Sequence, residues 1–363
     1  MRSIKICFLL VCFFALLILI NGCKEEPAFP YTIDNTPYVL LQPSNFPQPD
    51  IPKSNLLTIA KVKLGRSLFY DPIISKDSSL ACAKCHDQQF SFSDPRKLSI
   101  NLNGPTKRNS MPLINLVYTN KFFWDGRKTS LEDAVQDALE GEQNFDFQII
   151  LERVNKIPAY KKMFGEAFGT EPKAEHVRMA IASFLRTIIS SKSPFDRGVQ
   201  IGDYKMYLSA SAIRGAISFS NKDGGDCFHC HGEIPSNHLF TDNEFHNNGL
   251  DSVLNGNVEL FEDHGHGKIT NIKGDYAKFR TPTLRNLIYT APFFHDGRTE
   301  NLDKVLKHYN EEIFISPTIS ANIEKAHLGG IHLSNQELFD LKSFIMSLTD
   351  SSIITNPAYT SPF

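Results

Sequence analysis

The chain has 363 residues and a nearly balanced charge, formally −2 at pH 7. This length allows two domains with hydrophobic cores, and a 41% share of apolar residues is typical of a globular protein and excludes a disordered or collagen-like one. Because there is no basic excess, the composition gives no indication of a nucleic-acid partner.

Residues 1–22 are typical of an export signal. Arg2 and Lys5 precede an uncharged apolar run at 6–20, which is short for a membrane-spanning helix and suits the core of a signal peptide. A glycine then precedes Cys23, and this resembles a bacterial lipoprotein signal, in which the cysteine is acylated and becomes the mature N-terminus. The alternatives are a plain secretory signal and an uncleaved anchor. The sequence therefore predicts an exported, periplasmic protein that touches the membrane only through a lipid on Cys23.

Residues 23–55 are rich in proline, and such stretches favour extended, semi-rigid backbone. They suit a tether between a lipid anchor and a folded body. The alternative is an N-terminal arm packed on the surface of that body, and the two interpretations are compatible.

Each of the seven cysteines can be assigned to one predicted role. Two lie in the signal segment and Cys23 takes the lipid, so that no pair is left for a structural disulfide, although an exported protein could form one. The other four belong to two Cys-x-x-Cys-His motifs, which are formed by Cys82, Cys85 and His86 and by Cys227, Cys230 and His231.

These motifs predict two covalently bound haem c groups. Covalent attachment needs two thiols, one for each haem vinyl group, and a histidine beside the second thiol to bind the iron. His86 and His231 are therefore the expected proximal ligands. A zinc half-site or a redox Cys-x-x-Cys is the alternative for a single motif, whereas two copies in an exported chain favour haem.

The folded part of the sequence contains an internal repeat. Residues 115–127 align without a gap on residues 286–298, and a Cys-x-x-Cys-His motif precedes each block. The halves differ mainly by extra residues around 257–275. The repeat predicts two related haem domains rather than one domain with two haems.

The spacing of apolar residues predicts a mostly α fold without long strands. The predicted helices lie at 130–139, 177–190, 209–220, 301–309 and 334–348, and the predicted loops lie at 221–226 and 247–256. The expected architecture is two tandem cytochrome c-like haem domains related by duplication. Their predicted ranges are 56–200 and 201–350, with the boundary between Pro194 and Met206, and a tail follows at 351–363.

What each iron does depends on its second axial position. A methionine or histidine there favours electron transfer, and an open position allows chemistry with peroxide or oxygen. Residues 91–108 contain neither residue type, which predicts an open first haem. For the second haem, the register of the repeat points to the helix that ends with His308 and Tyr309.

Several segments in this order resemble the bacterial di-haem cytochrome c peroxidase/MauG family. The resemblance covers the chain from about residue 56 to 348, and its members reduce hydrogen peroxide or oxidise protein substrates. The segments that carry it are 64–72, 82–86, 108–109, 123–127, 246–251 and 290–298.

The resemblance implies roles for particular residues. Trp124 matches a tryptophan that lies between the haems and relays electrons, with a role as core filler as the alternative. Asn109, Thr290 and Pro292 match the ligands of a calcium ion, and the side-chain amide and main-chain oxygens that they offer are donors that calcium prefers.

Tyr309 falls where peroxidases of the family have a methionine and MauG has a tyrosine. A phenolate ligand on the second iron would stabilise ferric and higher oxidation states. The alternative is a tyrosine that merely lies near the haem, with His308 as a weaker ligand candidate.

Two features depart from the family pattern. The distal histidine that closes the first haem of resting peroxidases is missing from 91–108, which implies a first haem that needs no reductive activation. The distal Gln and Glu that help to cleave the O–O bond fall on Ala134 and Asn144, and neither can move a proton. Glu142 is the candidate acid–base group, with a solvated acidic turn as the alternative. Its neighbours Gln136, Glu140 and Asp146 are the other polar groups close by.

Three functions are compatible with this pattern. The first is a periplasmic peroxidase that takes electrons from a small cytochrome c or copper protein and reduces hydrogen peroxide to water. The second is a MauG-like oxidase of a protein or small molecule, favoured by Tyr309. The third is a di-haem electron carrier without turnover, favoured by Ala134 and Asn144. The donor and the choice between monomer and homodimer stay open.

Overall fold

The computed structural model describes residues 31–43, 45–142, 146–234 and 236–363, and helices and loops build most of this part of the chain. The predicted signal segment and Cys23 lie outside it. The α-helices are α1 (Ile59–Tyr70), α2 (Leu131–Asp137), α3 (Phe147–Lys156), α4 (Pro158–Phe168), α5 (Ala174–Leu185), α6 (Pro194–Ile201), α7 (Ala210–Phe219), α8 (Phe228–His231), α9 (Gly267–Thr270), α10 (Leu302–Glu311), α11 (Asn335–Met346) and α12 (Ser352–Thr355). The predicted helical class is confirmed.

The strands in the described residues form two short antiparallel pairs. β1 (Ile100–Asn101) pairs with β2 (Gly104–Pro105). β3 (Phe245–His246) pairs with β4 (Phe279–Arg280), with Phe245 opposite Arg280. Within the same residues, every helix falls short of the length and apolarity that crossing a bilayer requires.

Four of the predicted helices begin where the sequence places a capping residue. The side chains of Ser130 and Ser209 accept hydrogen bonds from the third residue beyond them, and that of Asn301 accepts one from the second. Ser334 forms a reciprocal capping box with Glu337. These bonds satisfy main-chain N–H groups that the first turn of a helix leaves without partners. The helices α2, α7, α10 and α11 are therefore confirmed.

The predicted helix at 177–190 begins earlier and ends earlier, because α5 spans Ala174–Leu185. Ile188 and Ile189 are buried beyond its end, so that their apolar character reflects packing of a non-helical segment rather than helical periodicity. Ser190 then donates its main-chain N–H to the side-chain oxygen of Asn115 at 2.9 Å. This bond ties the end of the segment to the first repeat block.

Each half contains one close contact between two helices at a glycine. A Cβ on Gly65 of α1 would lie 1.8 Å from the carbonyl oxygen of Ala180 in α5. A Cβ on Gly215 of α7 would lie 1.9 Å from the carbonyl oxygen of Asp340 in α11. Any larger residue would force these helices apart. A glycine inside α1 also weakens its helical signal in the sequence.

The two repeat blocks follow the same local backbone course. Asn115 and Asn286 both adopt the left-handed conformation, with φ of 59° and 63°, and so do Phe123 and Phe294, with φ of 67° and 69°. The side-chain oxygen of Asn286 accepts the main-chain N–H of Asp350 at 2.7 Å, as that of Asn115 accepts Ser190. In both halves, the block is thus fastened to the segment that follows a long helix.

Residues 31–55 pack along the body as an arm. Asp34 donates its main-chain N–H to Glu166, Tyr38 donates to Leu57, and Asp50 donates to Val117, at 2.7, 3.1 and 3.0 Å. Farther along the arm, the ring of Phe46 is buried in a small apolar cluster. Of the two interpretations of the proline-rich stretch, the packed arm describes the part seen here.

The segment at 351–363, expected to be a tail, packs against the first half. Ile353 and Tyr359 are buried in the hydrophobic core that also contains α1 and α5. The side chain of Gln88, two residues after His86, donates to the carbonyl oxygens of Ile353 at 2.9 Å and Asn356 at 3.0 Å. The C-terminal segment therefore supports the loop that follows the first Cys-x-x-Cys-His motif.

This packing predicts that Ile353→Ala destabilises the first half. Ile353 is 1% exposed, and truncation of a buried isoleucine costs about 2–5 kcal/mol of unfolding free energy. Phe363→Ala is the matched control, because Phe363 lies in the same segment and is 76% exposed. Urea denaturation of both variants tests the prediction. Equal stabilities for the two would show that the segment is a free tail.

Candidate functional site

The first Cys-x-x-Cys-His motif forms one tight turn with a buried end. The turn spans Cys82–Lys84, and the main-chain N–H of His86 donates to the carbonyl oxygen of Cys82 at 3.0 Å. His86 Nδ1 donates to the carbonyl oxygen of Phe92 at 3.0 Å. A carbonyl can only accept, so the proton lies on Nδ1, and Nε2 is left with the lone pair that binds a metal.

The second motif repeats this geometry. Helix α8 (Phe228–His231) is a single turn, and the main-chain N–H of His231 donates to the carbonyl oxygen of Cys227 at 3.0 Å. His231 Nδ1 donates to the carbonyl oxygen of Phe240 at 3.1 Å. Phe240 and its counterpart Phe92 are both fully buried and left-handed, with φ of 54° and 60°. The unusual backbone turns each carbonyl toward its histidine.

The protonation of these groups fits a haem c site. Burial lowers the pKa of both His86 and His231, which favours the neutral imidazole that ligates iron. Burial raises the pKa of the thiols of Cys82 and Cys227 to about 12. The four cysteines in the described residues form no disulfide, so two thiols stand at each motif for the two vinyl groups of a haem.

Trp124 lies where the two halves meet. Its side chain is 9% exposed, and its indole N–H donates to the carbonyl oxygen of Asn109 at 2.8 Å. Its own carbonyl oxygen accepts the main-chain N–H of Arg280 in β4 at 2.8 Å. Next to Asn109, Ser110 donates its hydroxyl to the carbonyl oxygen of Cys85 at 3.0 Å. The tryptophan is therefore held by the first motif's surroundings on one side and by the second half on the other.

Tyr309 and His308 stand differently toward the second motif. Tyr309 Oη accepts a hydrogen bond from the side-chain amide of Asn248 at 2.9 Å, whereas His308 Nε2 donates to the main-chain carbonyl of Asn248 at 3.0 Å. Burial raises the pKa of Tyr309 to about 12, the hydrogen bond from Asn248 opposes this shift, and the Cys230 and Cys227 thiols contribute in the same direction as burial. An amide N–H aimed at the phenolic oxygen is the bond that a phenolate ligand needs.

The acid–base candidates beside α2 are only partly described. Ala134 is buried on α2, Asn144 lies outside the described residues, and the main chain of Glu142 ends the π-helical turn Ala138–Glu142. Gln136 donates to the exposed Glu140 at 2.9 Å, and Asp146 caps α3. These three polar neighbours each have a structural partner. The side chain of Glu142 lies outside the described atoms.

Asn109 is oriented by neighbours from both halves. Its main-chain N–H donates to the carbonyl oxygen of His295 at 2.7 Å, and its amide nitrogen donates to those of Arg96 and Lys97 at 3.3 and 3.2 Å. No donor among the described residues reaches its Oδ1. Thr290, buried, and Pro292 lie shortly before His295 in the second repeat block. In the described part of the chain, no cluster of three or more His, Cys, Asp or Glu residues is placed to hold a metal.

A buried cluster of three charges joins the halves beside this site. Arg108 donates to Asp125 of the first block at 2.6 Å. It also forms a two-bond pair with Asp263, from the extra residues of the second half, at 2.7 and 2.8 Å. Burial alone would raise the pKa of Asp263, but the hydrogen bonds and charge of Arg108 hold it below its ordinary value.

Comparison with known proteins identifies the family. Residues 59–203 match the family model described as di-haem cytochrome c peroxidase. Over 317 residues the chain is 34% identical to the methylamine utilization protein MauG of Methylophilus methylotrophus, and the match covers 85% of this chain and 89% of that protein. The chain belongs to the di-haem cytochrome c peroxidase and MauG family.

The other relatives of this di-haem family include both peroxidases and MauG-like proteins. The cytochrome-c peroxidase IdrP1 of Denitromonas iodatirespirans is 33% identical over 342 residues, which cover 86% of this chain and 88% of that one. A solved MauG-like protein associated with microbial copper homeostasis has a TM-score of 0.80 and 28% identity, with 90% of this chain and 99% of that chain covered. Membership supports two haem c cofactors and oxidoreductase chemistry. Because peroxidases and MauG proteins are both present, the reaction must be argued from the site.

Four contributors to the candidate site carried no clear signal in the sequence. Phe92 and Phe240 act through main-chain carbonyls, which any residue possesses. Asn248 stands within the family-like segment 246–251, and only the fold reveals that its amide faces Tyr309. Asp263 lies among the extra residues of the second half, where the first half offers no counterpart to align.

The charge cluster yields a prediction with a pH dependence. Arg108→Leu leaves the partly buried Asp263 without a cation and leaves Asp125 with Arg127 alone, so it is expected to cost about 2 kcal/mol of unfolding free energy at pH 7. A lowered folded-state pKa contributes stability above the unfolded value of about 4, and this is lost as pH falls through the folded value. The difference between wild type and variant should therefore shrink in acid.

Urea denaturation between pH 3 and pH 7 measures this difference. Lys222→Leu is the control, because it removes an exposed pair with Glu324, and such pairs contribute little. A deficit of Arg108→Leu that stays the same at every pH would show that the charges are not its cause.

Proposed function

We propose that the chain carries two haem c groups in two tandem haem domains that arose by duplication. Cys82, Cys85 and His86 would attach the first haem, and the second motif would attach the other. The matched turns, the two Nδ1 bonds to left-handed phenylalanines and the paired glycine contacts support equivalent attachment. The predicted division between the domains is supported by two hydrophobic cores: one is built from residues up to Ile188 together with Ile353 and Tyr359, and the other from Phe195 onward.

The two sites are proposed to differ in their second axial position. Tyr309, whose oxygen accepts a hydrogen bond from Asn248, would bind the second iron. Tyr309 is favoured over His308 because His308 Nε2 already donates to a main-chain carbonyl. The loop at 91–108 offers the first iron no histidine or methionine. Iron with an open position binds peroxide, whereas iron with two protein ligands transfers electrons.

The function that this inequality supports best is reduction of hydrogen peroxide to water. Peroxide takes up two electrons and two protons and yields two water molecules. Electrons would arrive at the second site from a small redox protein, a cytochrome c or a copper protein, and pass by Trp124 to the first. The observation that carries the proposal is the contrast between the tyrosine-bearing second site and the first site without a second ligand.

Two further site assignments belong to this proposal. Glu142 would move the proton between the peroxide oxygens, because the family's usual groups are replaced by Ala134 and Asn144. A calcium ion would be held by the side-chain oxygen of Asn109 and by oxygens of Thr290 and Pro292. The bonds that orient the Asn109 amide while leaving Oδ1 without a donor support this ligand set.

The location is proposed from the N-terminal signal. The protein would be exported to the periplasm and held at a membrane by a lipid on Cys23.

Peroxide turnover with a reduced small cytochrome tests the proposal. The wild-type protein should oxidise the cytochrome in proportion to peroxide added, and Glu142→Ala should lower the rate about 100-fold if Glu142 is the acid–base group. Glu140→Ala is the matched control, because Glu140 is exposed two residues earlier. Wild-type protein that carries both haems and shows no turnover would contradict the proposal and favour the electron-carrier alternative.

A MauG-like oxidase of a protein or small molecule is the second candidate, and Tyr309 is the observation that favours it. Tyr309→Phe removes the proposed ligand atom and is expected to change the spectrum of the second haem from low-spin to high-spin. Tyr207→Phe, at a more exposed tyrosine, should leave both haem spectra unchanged. If Tyr309→Phe also leaves them unchanged, Tyr309 is not the ligand.

A further inference from the structure

A buried asparagine of the second repeat block reaches the loop that follows the first Cys-x-x-Cys-His motif. The side-chain amide nitrogen of Asn286 donates to the hydroxyl oxygen of Ser91 at 2.9 Å, and both residues are 0% exposed. Ser91 directly precedes Phe92, whose carbonyl oxygen accepts the Nδ1 hydrogen bond of His86. A side chain of the second half therefore contacts the loop that orients the first histidine.

Four hydrogen bonds fix the orientation of the Asn286 amide. Besides the bond to Ser91, its nitrogen donates to the carbonyl oxygen of Asp350 at 3.2 Å. Its oxygen accepts the main-chain N–H of Asp350 at 2.7 Å and the hydroxyl of Ser190 at 3.1 Å. A side-chain amide has two N–H donors and an oxygen with two lone pairs, so all of its bonding capacity is used. Because the N–H of Asp350 can only donate, it faces the amide oxygen, and this directs the nitrogen toward Ser91.

The turn that Asn286 contacts is strained. Ser91 and Phe92 are both left-handed, with φ of 54° and 60°. Two consecutive residues with side chains in this conformation are costly and persist only where their surroundings hold them. The direction of the Phe92 carbonyl depends on both conformations. The bond from Asn286 therefore helps to keep this carbonyl aimed at His86.

The corresponding turn of the second motif is held differently. Leu239 directly precedes Phe240, as Ser91 precedes Phe92, and Leu239 does not adopt the left-handed conformation. Its main-chain N–H donates to the side-chain oxygen of Asn237 at 3.1 Å, and its carbonyl oxygen accepts the hydroxyl of Thr283 at 2.6 Å. Both of these partners belong to the second half. The cross-half bond to Ser91 is thus a difference between the two motifs.

Asn115, the counterpart of Asn286 in the first repeat block, provides a matched comparison. Its side-chain oxygen accepts the main-chain N–H of Ser190 at 2.9 Å, and its amide nitrogen donates to the carbonyl oxygen of Ser190 at 3.2 Å. Asn286 forms the same kind of pair with Asp350. The two asparagines therefore share a structural bond pair, and Asn286 adds the bond to Ser91.

We propose that Asn286 is a positioning residue for the first haem, because through Ser91 it holds the Phe92 carbonyl that orients His86. The inference rests on the proposed haem at the first motif and on the open second position of its iron. A hydrogen bond from Nδ1 to an acceptor fixes the imidazole ring and makes it a more basic ligand. The second half of the chain thereby tunes the bond between the first iron and its histidine.

Resonance Raman spectroscopy of the chemically reduced two-haem protein tests this role. A ferrous haem with one histidine and an open position shows an iron–histidine stretching band, which a haem with two protein ligands lacks, so the band reports on the first haem. Ser91→Ala removes the acceptor hydroxyl, and Asn286→Ala removes the amide. Both should move the band to lower frequency, because the Phe92 carbonyl then accepts the Nδ1 bond less well. Asn115→Ala is the control, since it removes a matched buried amide and should leave the band in place.

Redox titration in the absence of peroxide gives a second readout. A less basic histidine stabilises ferric iron less, so the midpoint potential of one haem should rise in Ser91→Ala and Asn286→Ala and stay unchanged in Asn115→Ala. An unmoved band and unmoved potentials in Ser91→Ala would overturn the proposal, and so would an equal change in Asn115→Ala. If Asn286→Ala yields no folded protein, Ser91→Ala decides alone.

The two readouts separate failure of this proposal from failure of the peroxidase proposal. Wild-type protein without the iron–histidine band would show that the first iron is closed, which contradicts the peroxidase proposal, and the potentials would then decide the role of Asn286. A band that shifts in Ser91→Ala, in a protein without peroxide turnover, would support the role of Asn286 and contradict the peroxidase proposal alone.

Discussion

The hydrogen bond from each motif histidine to a main-chain carbonyl is the interaction on which the rest of the site depends. It places the imidazole proton on Nδ1, so that Nε2 keeps the lone pair that can bind a metal, and it fixes the plane of the ring. The acceptors belong to Phe92 and Phe240, whose left-handed conformations are costly for a large side chain and are held by complete burial of the rings. The hydrophobic cores therefore do more than stabilise the fold, because they hold the ligand geometry of each motif.

The second constraint is the junction between the halves. Trp124, Arg280 and the cluster around Arg108 all lie at this junction. They contribute main-chain hydrogen bonds, a buried cation with a neutral amide partner and a set of ion pairs. Electrons that pass between two cofactors need a fixed distance and orientation. A junction built from buried hydrogen bonds and ion pairs provides this better than a purely apolar one, because such bonds are directional.

Much of this could be predicted from local sequence signals. Each Cys-x-x-Cys-His motif carries its chemistry in five residues, and Ser130, Ser209 and Ser334 mark helix starts because capping is a local interaction. Other features depend on residues far apart in the chain. The glycine contact between α1 and α5, the burial of Ile353 and the burial of Arg280 appear only once the chain is folded.

The proposed inequality of the two sites likewise rests partly on local sequence and partly on the fold. The lack of a histidine or methionine at 91–108 can be seen in the sequence, whereas the preference for Tyr309 over His308 requires the two separate bonds to Asn248. Family membership supports the pair of haems, and the side chains around them carry the proposal that one site is reactive and the other handles electrons. The choice between a peroxidase and a MauG-like oxidase therefore depends on the loop at 91–108 and on Tyr309 and its partner Asn248.

The most direct test of this account is the electron paramagnetic resonance spectrum of the resting ferric protein that carries both haems. The account predicts one high-spin signal, from a first haem with an open axial position, and one low-spin signal, from a second haem with two protein ligands. Two low-spin signals would contradict it, because both irons would then be closed and the first site could not bind peroxide.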